Sequence, residues 1–356
     1  MDNERHDNVL DQPQGEKPPA FDSEPVRGLS QAPSRPASKA GAGWRIFWGV
    51  VLAMSILANV GLFLAVIGLV SVFAVGSAPG LHEVVVRDGP AGAKIAVIRV
   101  EGIIDGALAE DVRRQLESAQ EDSRVKAIIV RVSSPGGTIS GSDQIHNEFS
   151  RFRQQHAKPM IAFMQGIAAS GGYYVSVACE KIVAEPTTIT GSIGVISWYL
   201  VVQQLLEDKL GVLPVTVKSG QKKDWPSSFR APTPEEIDYI DKRLVQPAFE
   251  RFVDVVAKGR QAVLTPDEVR AVADGGMYVA DEAVKKKLID GIGYFDDAIE
   301  TIKSMAGIKK ARVVEYQKPF SFADFLSVKA EGVLKLDKAT LYKLSSPQVL
   351  YLWTGY

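Results

Sequence analysis

The sequence has one cysteine, Cys179, among 356 residues. A single cysteine forms no disulfide bond within its chain, and the sequence offers neither a CxxC pair nor a cluster of cysteine and histidine that would bind zinc. Metal and redox chemistry are therefore not predicted. Because Cys179 lies in the apolar run 173–183, we expect it to be a small residue of the core.

An excess of one charge is also missing, since 41 basic and 42 acidic residues give a formal net charge of -1. Proteins that bind nucleic acid or other polyanions carry a basic field, so no nucleic-acid partner is predicted. Hydrophobic residues make up 46% of the chain, which is enough for a buried core. The composition is that of a mostly folded protein.

The first 43 residues show no periodicity typical of a helix or a strand. They are rich in Pro, Ser, Gly, Asp and Glu, so we predict a disordered cytoplasmic tail over residues 1–43. Residues 46–75 then contain no charged side chain, and this run exceeds the roughly 20 residues that cross a hydrocarbon core. We predict a transmembrane signal-anchor helix over residues 44–76.

The charges that flank this apolar run predict its orientation. Residues 25–45 contain no acidic side chain and four basic ones: Arg27, Arg35, Lys39 and Arg45. Beyond the run, residues 76–95 have equal numbers of basic and acidic side chains. The positive-inside rule therefore places the N-terminus in the cytoplasm and everything after residue 75 outside it. A cleaved signal peptide has an apolar region of only about 7–15 residues, so we expect the helix to be retained. The small residues Gly76, Ser77 and Ala78 leave cleavage open as the alternative.

After a linker predicted over residues 77–93, apolar runs of strand length alternate with helical patterns. Strands are predicted at 94–100, 127–132, 160–163, 181–184 and 214–217, and helices at 108–119, 140–155, 201–210 and 234–260. Residues 265–308 are predicted to be mainly helical. This rhythm is typical of an α/β domain with mostly parallel strands, which we place at residues 94–310, followed by a C-terminal extension over 311–356.

Glycine-rich turns follow three successive strands of this domain. They read SPGG at 134–137, GIAASGG at 166–172 and TGSIG at 190–194. In a parallel sheet such turns share the carboxyl edge, where ligands bind. Backbone N–H groups at Gly136 and Gly137 are unobstructed by side chains, and Ser170 lies among small residues. These turns are therefore candidates for an oxyanion hole and a nucleophile.

Glycine-rich turns also bind phosphate or simply reverse the chain, so each one alone is weak evidence of catalysis. A Gly-x-Ser-x-Gly nucleophile elbow does not fit, because Ala168 lies two residues before Ser170. A GxxxxGK[ST] phosphate loop is absent as well.

A serine nucleophile needs a base, and the chain has only four histidines. His6 lies in the tail and His82 borders the apolar run, whereas His146 and His156 fall on or just after a predicted helix. His146 stays open as a base, but a solvated helix position is the favoured interpretation. Lysine is the alternative, because burial lowers the usual lysine pKa of about 10.4.

Three lysines follow the strand predicted at 214–217: Lys218, Lys222 and Lys223. Their spacing does not choose among them, and a cluster of lysines in a turn is also typical of a solvated surface.

Together these motifs resemble those of the signal peptide peptidase A family, the S49 serine peptidases, in the short form with a single repeat. The resemblance extends from Lys94 to at least Ala306. The motifs that carry it, in the family's order, are SPGG at 134–137, ASGGYY at 169–174, TGSIGV at 190–195, and KSG followed by KD within 218–224. One departure is Ser133, where the family usually has Asn or Asp.

The resemblance implies a role for each matching residue. The nucleophile of the family falls on Ser170 and its general base on Lys223. Ser192 matches the serine that helps to hold the lysine amine. The resemblance also implies that an oxyanion hole is formed by N–H groups of Gly136 or Gly137 and of Gly171, and that no metal or cofactor is needed.

For the whole molecule, the resemblance implies a crotonase-like or Clp-protease-like superhelical core with parallel strands and outer helices. Members of the short form assemble into ring-like homo-oligomers, for which we expect an octamer, with serine and lysine on adjacent protomers. The expected substrates are remnant signal peptides and other apolar peptides, cleaved through an acyl-enzyme. With the anchor, this predicts an enzyme of the inner (cytoplasmic) membrane whose catalytic domain faces the periplasmic side.

Two alternatives remain on the same fold. One is an acyl-CoA enzyme, in which paired glycine N–H groups bind a thioester oxygen. The other is a membrane scaffold that has no catalytic activity. The apolar C-terminal segment 349–353 is open to three interpretations: internal packing, a contact between subunits, or an occupant of the cleft. It is too short to cross a membrane.

Overall fold

The computed structural model describes residues 40–75, 81–318 and 348–354. The predicted disordered tail therefore lies almost wholly outside the described residues, as does most of the predicted C-terminal extension. The chain divides into two units, Met1–Gly68 and Leu69–Tyr356.

The described part of the first unit belongs to a single long helix, α1 (Ala40–Val75), which ends seven residues after Gly68. Its stretch Gly43–Gly68 has 26 residues and is long and apolar enough to cross a membrane. At 1.5 Å per residue this stretch is about 39 Å long, against a hydrocarbon thickness of about 30 Å. Every side chain described in the helix is exposed. These features are compatible with a single-pass membrane anchor.

The second unit is built from eleven strands and eight α-helices among the described residues. The strands are β1 (His82–Arg87), β2 (Lys94–Ile104), β3 (Val125–Thr138), β4 (Met160–Ala169), β5 (Lys181–Ala184), β6 (Ile189–Gly191), β7 (Ile196–Trp198), β8 (Met277–Val279), β9 (Gly291–Ile292), β10 (Arg312–Gln317) and β11 (Gln348–Leu352). The helices are α2 (Gly106–Glu121), α3 (Ile139–Gln155), α4 (Gly171–Ser176), α5 (Pro234–Ile240), α6 (Gln246–Gly259), α7 (Pro266–Val272), α8 (Ala280–Lys285) and α9 (Phe295–Met305).

The strands form one sheet in the order β1-β10-β2-β3-β4-β5-β9. Every neighbouring pair in this path is parallel except β1 with β10. At the carboxyl end of β4, β6 continues the pairing in parallel, and β8 pairs with β6 antiparallel. The predicted α/β class with mostly parallel strands is confirmed.

Both faces of the sheet are buried, which is typical of parallel strands flanked by helices. Along β2, Ile95 and Val97 pack in a cluster with Ile299 and Ile302 of α9. The alternate residues of β2 face the other side, into a larger cluster with side chains of α2, α3, α4 and α6. Cys179 is buried in that larger cluster, as predicted.

Two helices begin directly after strands, with capping side chains that fix their starts. Asp105 follows β2 and accepts a hydrogen bond from Leu108 N at 2.9 Å. Thr138 ends β3 and accepts one from Gly141 N at 3.1 Å. Such N-caps satisfy donors that lack a partner within the helix. The SPGG turn consequently lies in the last residues of β3, and α3 starts two residues after Gly137.

The structure confirms most predicted elements but not the strand at 214–217. This stretch forms no strand, and the side chains of Val215 and Val217 are 78% and 95% exposed. Alternating valines are typical of a strand, but a strand also needs a partner for its backbone groups, and the described chain supplies none here. The helix predicted at 201–210 begins at Gln203 and is largely π-helical over Leu205–Lys209.

The long helix predicted at 234–260 exists but is interrupted by a π-helical turn, Asp241–Val245, between α5 and α6. Pro247 follows this turn, and proline has no N–H for the regular hydrogen bond of an α-helix. A proline near the junction accounts for the local change in hydrogen bonding, because π-turns occur where the regular ladder is broken.

Two stretches outside the predicted domain 94–310 contribute strands to its sheet. The predicted linker 77–93 contains β1, and the predicted extension 311–356 contains β10 and β11. Their partners lie far away in sequence, as β1 pairs with β10. A pattern read along the chain does not reveal such long-range pairs.

Candidate active site

Parallel pairing brings the three glycine-rich turns to one edge of the sheet. Ser134 of β3 lies opposite Ala168 of β4, and Ala169 lies opposite Gly191 of β6. Thr190 strengthens the pairing of β4 with β6, because its Oγ1 donates a hydrogen bond to Ala168 O at 2.6 Å. The three turns are therefore neighbours in space, as the sequence predicted.

Ser170 lies between the end of β4 and the start of α4. Its φ is 52°, a backbone conformation that a residue with a side chain rarely adopts, and its side chain is 1% exposed. Backbone hydrogen bonds hold it on both sides: Ser170 N donates to Gly191 O at 2.8 Å, and Tyr174 N donates to Ser170 O at 2.8 Å. No hydrogen bond of its hydroxyl group is formed within the described residues.

Ser134 fixes the shape of the SPGG turn from inside. Its hydroxyl is buried, donates to Gly102 O at 2.6 Å and accepts from Gly136 N at 3.0 Å. The N–H of Gly136 is thus directed to Ser134 in this conformation. Three glycines were predicted to supply N–H groups to an oxyanion hole. The N–H of Gly136 donates to Ser134, whereas the N–H groups of Gly137 and Gly171 do not.

The glycines of the two turns approach neighbouring backbone too closely for any side chain. A β-carbon on Gly136, whose φ is 104°, would overlap the carbonyl oxygen of Tyr351 and lie 2.8 Å from Gly171 N. A β-carbon on Gly171 would lie 3.1 Å from the same oxygen. Gly136 and Gly171 are therefore adjacent, and a peptide carbonyl group lies against both of them.

That carbonyl group belongs to β11, the C-terminal strand. β11 lies between the end of β3 and β7 and is antiparallel to both. Leu350 lies opposite Thr138 and Leu352 opposite Gly136, and Trp353 N donates to Pro135 O at 2.9 Å. An extended peptide is thus bound along the SPGG turn by two strands.

The side chain of Tyr351 is fully buried. Its ring stacks on Tyr174 with a centroid distance of 5.0 Å and packs against Phe252 at 4.7 Å, and its hydroxyl donates to Ala248 O at 2.8 Å. Burial raises the pKa of Tyr351 above its ordinary value, so the phenol stays protonated and remains a donor. The pocket therefore accepts an aromatic side chain with a hydroxyl group.

Ser192 directly follows β6. Its φ is 50°, and its N–H donates to Gly276 O at 2.7 Å. It lines a cavity of about 460 Å³ together with residues of α6, residues 273–275 and residues 352–354. The predicted supporting serine therefore lies near the end of β11.

The three candidate lysines differ in their contacts. Lys218 forms an ion pair with Asp224 at 2.7 Å, and Lys222 lies over the ring of Tyr239 at 4.4 Å. Lys223 is exposed, and its ammonium group has no hydrogen bond, ion pair or ring contact within the part of the chain that the structure describes. It follows that a single chain does not join Lys223 to Ser170.

His146 was the other candidate base. It is half-buried on α3, and its ring packs edge-on against Tyr174 at 5.3 Å. Burial lowers the pKa of His146 to about 4, and Arg251 acts in the same direction while Asp143 opposes it. Among the described residues no hydrogen bond connects His146 to Ser170, so its position is explained by packing on Tyr174 of α4, the helix that follows Ser170.

Sequence reasoning missed Ser134 and Ser142 as parts of the site, and for segment 349–353, which contains Tyr351, it left an occupant of the cleft as one of three interpretations. Ser142 is fully buried with no partner for its hydroxyl among the described residues, and this oxygen lies 2.5 Å from where a β-carbon on Gly171 would be. The SPGG motif already contained Ser134, whereas the place of Tyr351 depends on a pairing across more than two hundred residues.

Comparisons with known proteins agree with this geometry. The model of the Clp protease family matches residues 93–188, and the model of peptidase family S49 matches residues 152–309. The first match spans the strands and turns that hold Ser170, and it confirms the Clp-protease-like part of the predicted fold. The fold and the serine turn define a domain of the Clp-protease type.

Relatives identify the family more closely. A protein of Enterococcus faecium named as a signal peptide peptidase SppA is 37% identical over 248 residues, which are 67% of this chain and 71% of that protein. Protease 4 of Haemophilus influenzae is 33% identical over 62% of this chain and 36% of its own length. The chloroplastic serine protease SPPA of Arabidopsis thaliana is 33% identical over 69% and 38%. The chain belongs to peptidase family S49, as its motifs predicted, and spans little more than a third of the two longer relatives.

The close contact at Gly137 generates a prediction about stability. A β-carbon there would overlap Ile104 O and lie 2.6 Å from Ile104 N, both backbone atoms of the paired strand β2. Gly137→Ala should therefore lower the free energy of unfolding by about 2–3 kcal/mol, since overpacking against backbone is not relieved by a rotamer change.

Thermal and denaturant unfolding measure this effect. Gly106→Ala is the matched control, because a β-carbon at Gly106 meets no atom within 4 Å. A Gly137→Ala variant as stable as the Gly106→Ala variant would contradict the close contact between β2 and the SPGG turn.

The burial of His146 generates a prediction about pH. The unfolded chain takes up a proton near the ordinary histidine pKa of about 6.5, whereas the folded chain does so only near pH 4. The contribution of His146 to stability is thus fully present above pH 6.5 and is lost as the pH falls towards 4.

Unfolding free energies measured between pH 7 and pH 4.5 test this account. His146→Gln should make the loss of stability with acidification shallower than in the wild-type protein, while His82→Gln, at an exposed position of β1, serves as the control. Equal slopes for the wild-type protein and His146→Gln would show that His146 is not buried as described.

Proposed function

We propose that this chain is a membrane-anchored serine endopeptidase in which Ser170 is the nucleophile and Lys223 the general base. The observation that carries the proposal is the environment of Ser170. Its hydroxyl has no partner within the described residues, and it lies beside glycine backbone against which a peptide carbonyl group is already placed. Membership of peptidase family S49 supports the same chemistry.

The reaction would proceed through an acyl-enzyme. The oxygen of Ser170 attacks the carbonyl carbon of the substrate, and its proton passes to the amine of Lys223. N–H groups of Gly171 and Gly137, with Gly136 as a further candidate, would stabilise the negative oxygen. Lys223 then returns the proton to the leaving amine, and a water molecule repeats the path to release the acyl group.

Lys223 acts as a base only when it is uncharged, and burial favours the uncharged form of a lysine. In the single chain this side chain is exposed and without a partner among the described residues. A second copy that covered it would remove it from water and could supply the serine. We therefore propose a dyad shared between adjacent copies in a ring-like homo-oligomer, with Ser192 helping to hold the amine.

Exposed apolar side chains close to Lys223 in sequence support a surface for a second copy. Between the π-helical stretch Leu205–Lys209 and the lysines at 218–223, four aliphatic residues are more than 60% exposed: Leu210, Leu213, Val215 and Val217. Contiguous apolar patches are rare on monomers and are typical of contacts between proteins. We propose that the ring-like homo-oligomer contains eight copies of the chain.

The anchor limits the substrates that the site would meet. If α1 crosses the membrane with the basic residues before it in the cytoplasm, the catalytic domain lies on the periplasmic side. Peptides that leave the membrane would then be close to the site. We propose remnant signal peptides and other apolar peptides as substrates, which agrees with the name of the Enterococcus relative.

Mixed assemblies test the shared dyad. Ser170→Ala and Lys223→Ala should each abolish hydrolysis of a fluorogenic apolar peptide by the full chain in detergent. When the two variants are co-expressed with different tags and purified through both, about one quarter of the wild-type activity should return. A site formed across a heterologous interface is intact when one neighbour gives Ser170 and the other Lys223, each with a chance of one half.

Lys222→Ala is the matched control, because Lys222 adjoins the proposed base but contacts the rings of Trp225 and Tyr239. It should retain most of the activity. Mixed assemblies no more active than either single variant would contradict sharing between copies, and an active Ser170→Ala variant would contradict the nucleophile.

A further inference from the structure

We propose that Arg230 is a positioning residue, which fixes the turn that carries Lys223 by bridging two carboxylates, Asp224 next to the lysine and Glu236 in the first turn of α5. This inference rests on the proposed peptidase function. It adds to that function how the candidate base, which lies in a turn and not in a strand of the sheet, is held at a set position.

The segment that carries Lys223 has little regular structure of its own. Within residues 211–233, all of which the structure describes, the only helix is a short 3₁₀ turn, Gln221–Asp224, and no strand is formed. A backbone hydrogen bond from Lys223 N to Gly220 O at 3.1 Å helps to close this turn. A catalytic group acts only when it is held in a narrow geometry, so the turn needs a further attachment to the fold.

Asp224 directly follows Lys223 and connects the two ends of the turn. Its carboxylate accepts a hydrogen bond from Lys218 Nζ at 2.7 Å and one from Arg230 Nε at 3.3 Å. Lys218 Nζ also donates to Gln221 O, at the start of the turn, at 3.1 Å. Asp224 is therefore the point at which side chains from before and after the turn meet.

Glu236 is the fixed end of the bridge. Arg230 Nη1 donates to its Oε2 at 2.6 Å, and the side chain of Glu236 is fully buried. The backbone of Glu236 is held as well, because its N–H donates to Oγ1 of the N-cap Thr233 at 3.2 Å. A buried carboxylate without a cation is strongly unfavourable, and among the described residues Arg230 is its ion-pair partner. Glu236 therefore holds Arg230, and Arg230 holds Asp224.

The lysine next to the candidate base makes a weaker attachment to the same helix. The ammonium group of Lys222 lies over the ring of Tyr239 of α5, but at an exposed position, where such a contact contributes little. Hydrogen bonds between charged groups are stronger. Since Lys218 and Lys222 are both engaged, Lys223 is the lysine of this described segment whose ammonium group stays available to a second copy.

The main test is Arg230→Lys in the full chain in detergent, compared with the wild-type protein at the same assembly size. Lysine keeps one positive charge for the buried carboxylate but has a single ammonium group in place of two separate nitrogens, so it does not bridge both carboxylates. We expect kcat for a fluorogenic apolar peptide to fall at least about tenfold, because the base is no longer held in the reacting geometry. KM should change less than about twofold, since the lost interaction is one of the transition state.

Arg270→Lys is the matched control, because Arg270 also pairs with a carboxylate, that of Glu250, but both side chains are half exposed and lie outside the proposed site. It should keep the wild-type kcat. The neutral double variant Arg230→Gln/Glu236→Gln removes the bridge without leaving a buried charge, so it decides the question if Arg230→Lys does not fold. It should show the same loss of kcat.

Hydrogen exchange followed by mass spectrometry keeps the test independent of catalysis. In Arg230→Lys the amides of residues 221–225 should exchange at least about tenfold faster than in the wild-type protein, because the turn opens more often, while the amides of β3 and β4 should be unchanged. Arg270→Lys should exchange like the wild-type protein in both regions.

The outcomes separate the two claims. If the wild-type protein does not hydrolyse the peptide, the peptidase function is rejected, and faster exchange over residues 221–225 in Arg230→Lys still supports the bridge. If a folded Arg230→Lys or double variant keeps the wild-type kcat, Arg230 is not a positioning residue for the base, whatever the exchange rates. Unchanged exchange over residues 221–225 in both variants would reject the bridge itself.

Discussion

The parallel pairing of β3 with β4 is the constraint on which the site depends. Ser134 lies opposite Ala168, so the SPGG turn and the turn that holds Ser170 end at the same edge of the sheet. Both turns then approach so closely that Gly136 and Gly171 have no space for a side chain. The backbone conformation of Ser170 is costly by itself, but backbone bonds to Gly191 and Tyr174 hold it. These backbone hydrogen bonds therefore stabilise the unusual conformation of Ser170.

The same edge is covered by the chain itself. β11 pairs with the end of β3 along the SPGG turn, and the buried ring of Tyr351 packs against Tyr174 and Phe252. An exposed strand edge also invites unwanted pairing, and an intramolecular strand covers it.

Local features of the fold could be predicted from the sequence. β5 (Lys181–Ala184) has the predicted bounds, and α3 begins one residue before its predicted start, because apolar periodicity and helix caps act within a few residues. The glycine-rich turns around Ser170 were recognised for the same reason. The pairings of β1 with β10 and of β11 with β3 could not be predicted, since they join residues far apart in sequence. The strand predicted at 214–217 was wrong because alternating valines indicate strand propensity and not a partner. In the proposed dyad Lys223 would act with a second copy, which the sequence of one chain does not reveal.

Covalent labelling of the serine is the measurement that tests the central claim most directly. The full chain in detergent is treated with a serine-directed fluorophosphonate, digested, and mapped by mass spectrometry. The account predicts one modified residue, Ser170, with labelling lost in Ser170→Ala and much reduced in Lys223→Ala. Modification of a different serine, or equal labelling of the Ser170→Ala variant, would contradict the assignment of Ser170 as the nucleophile.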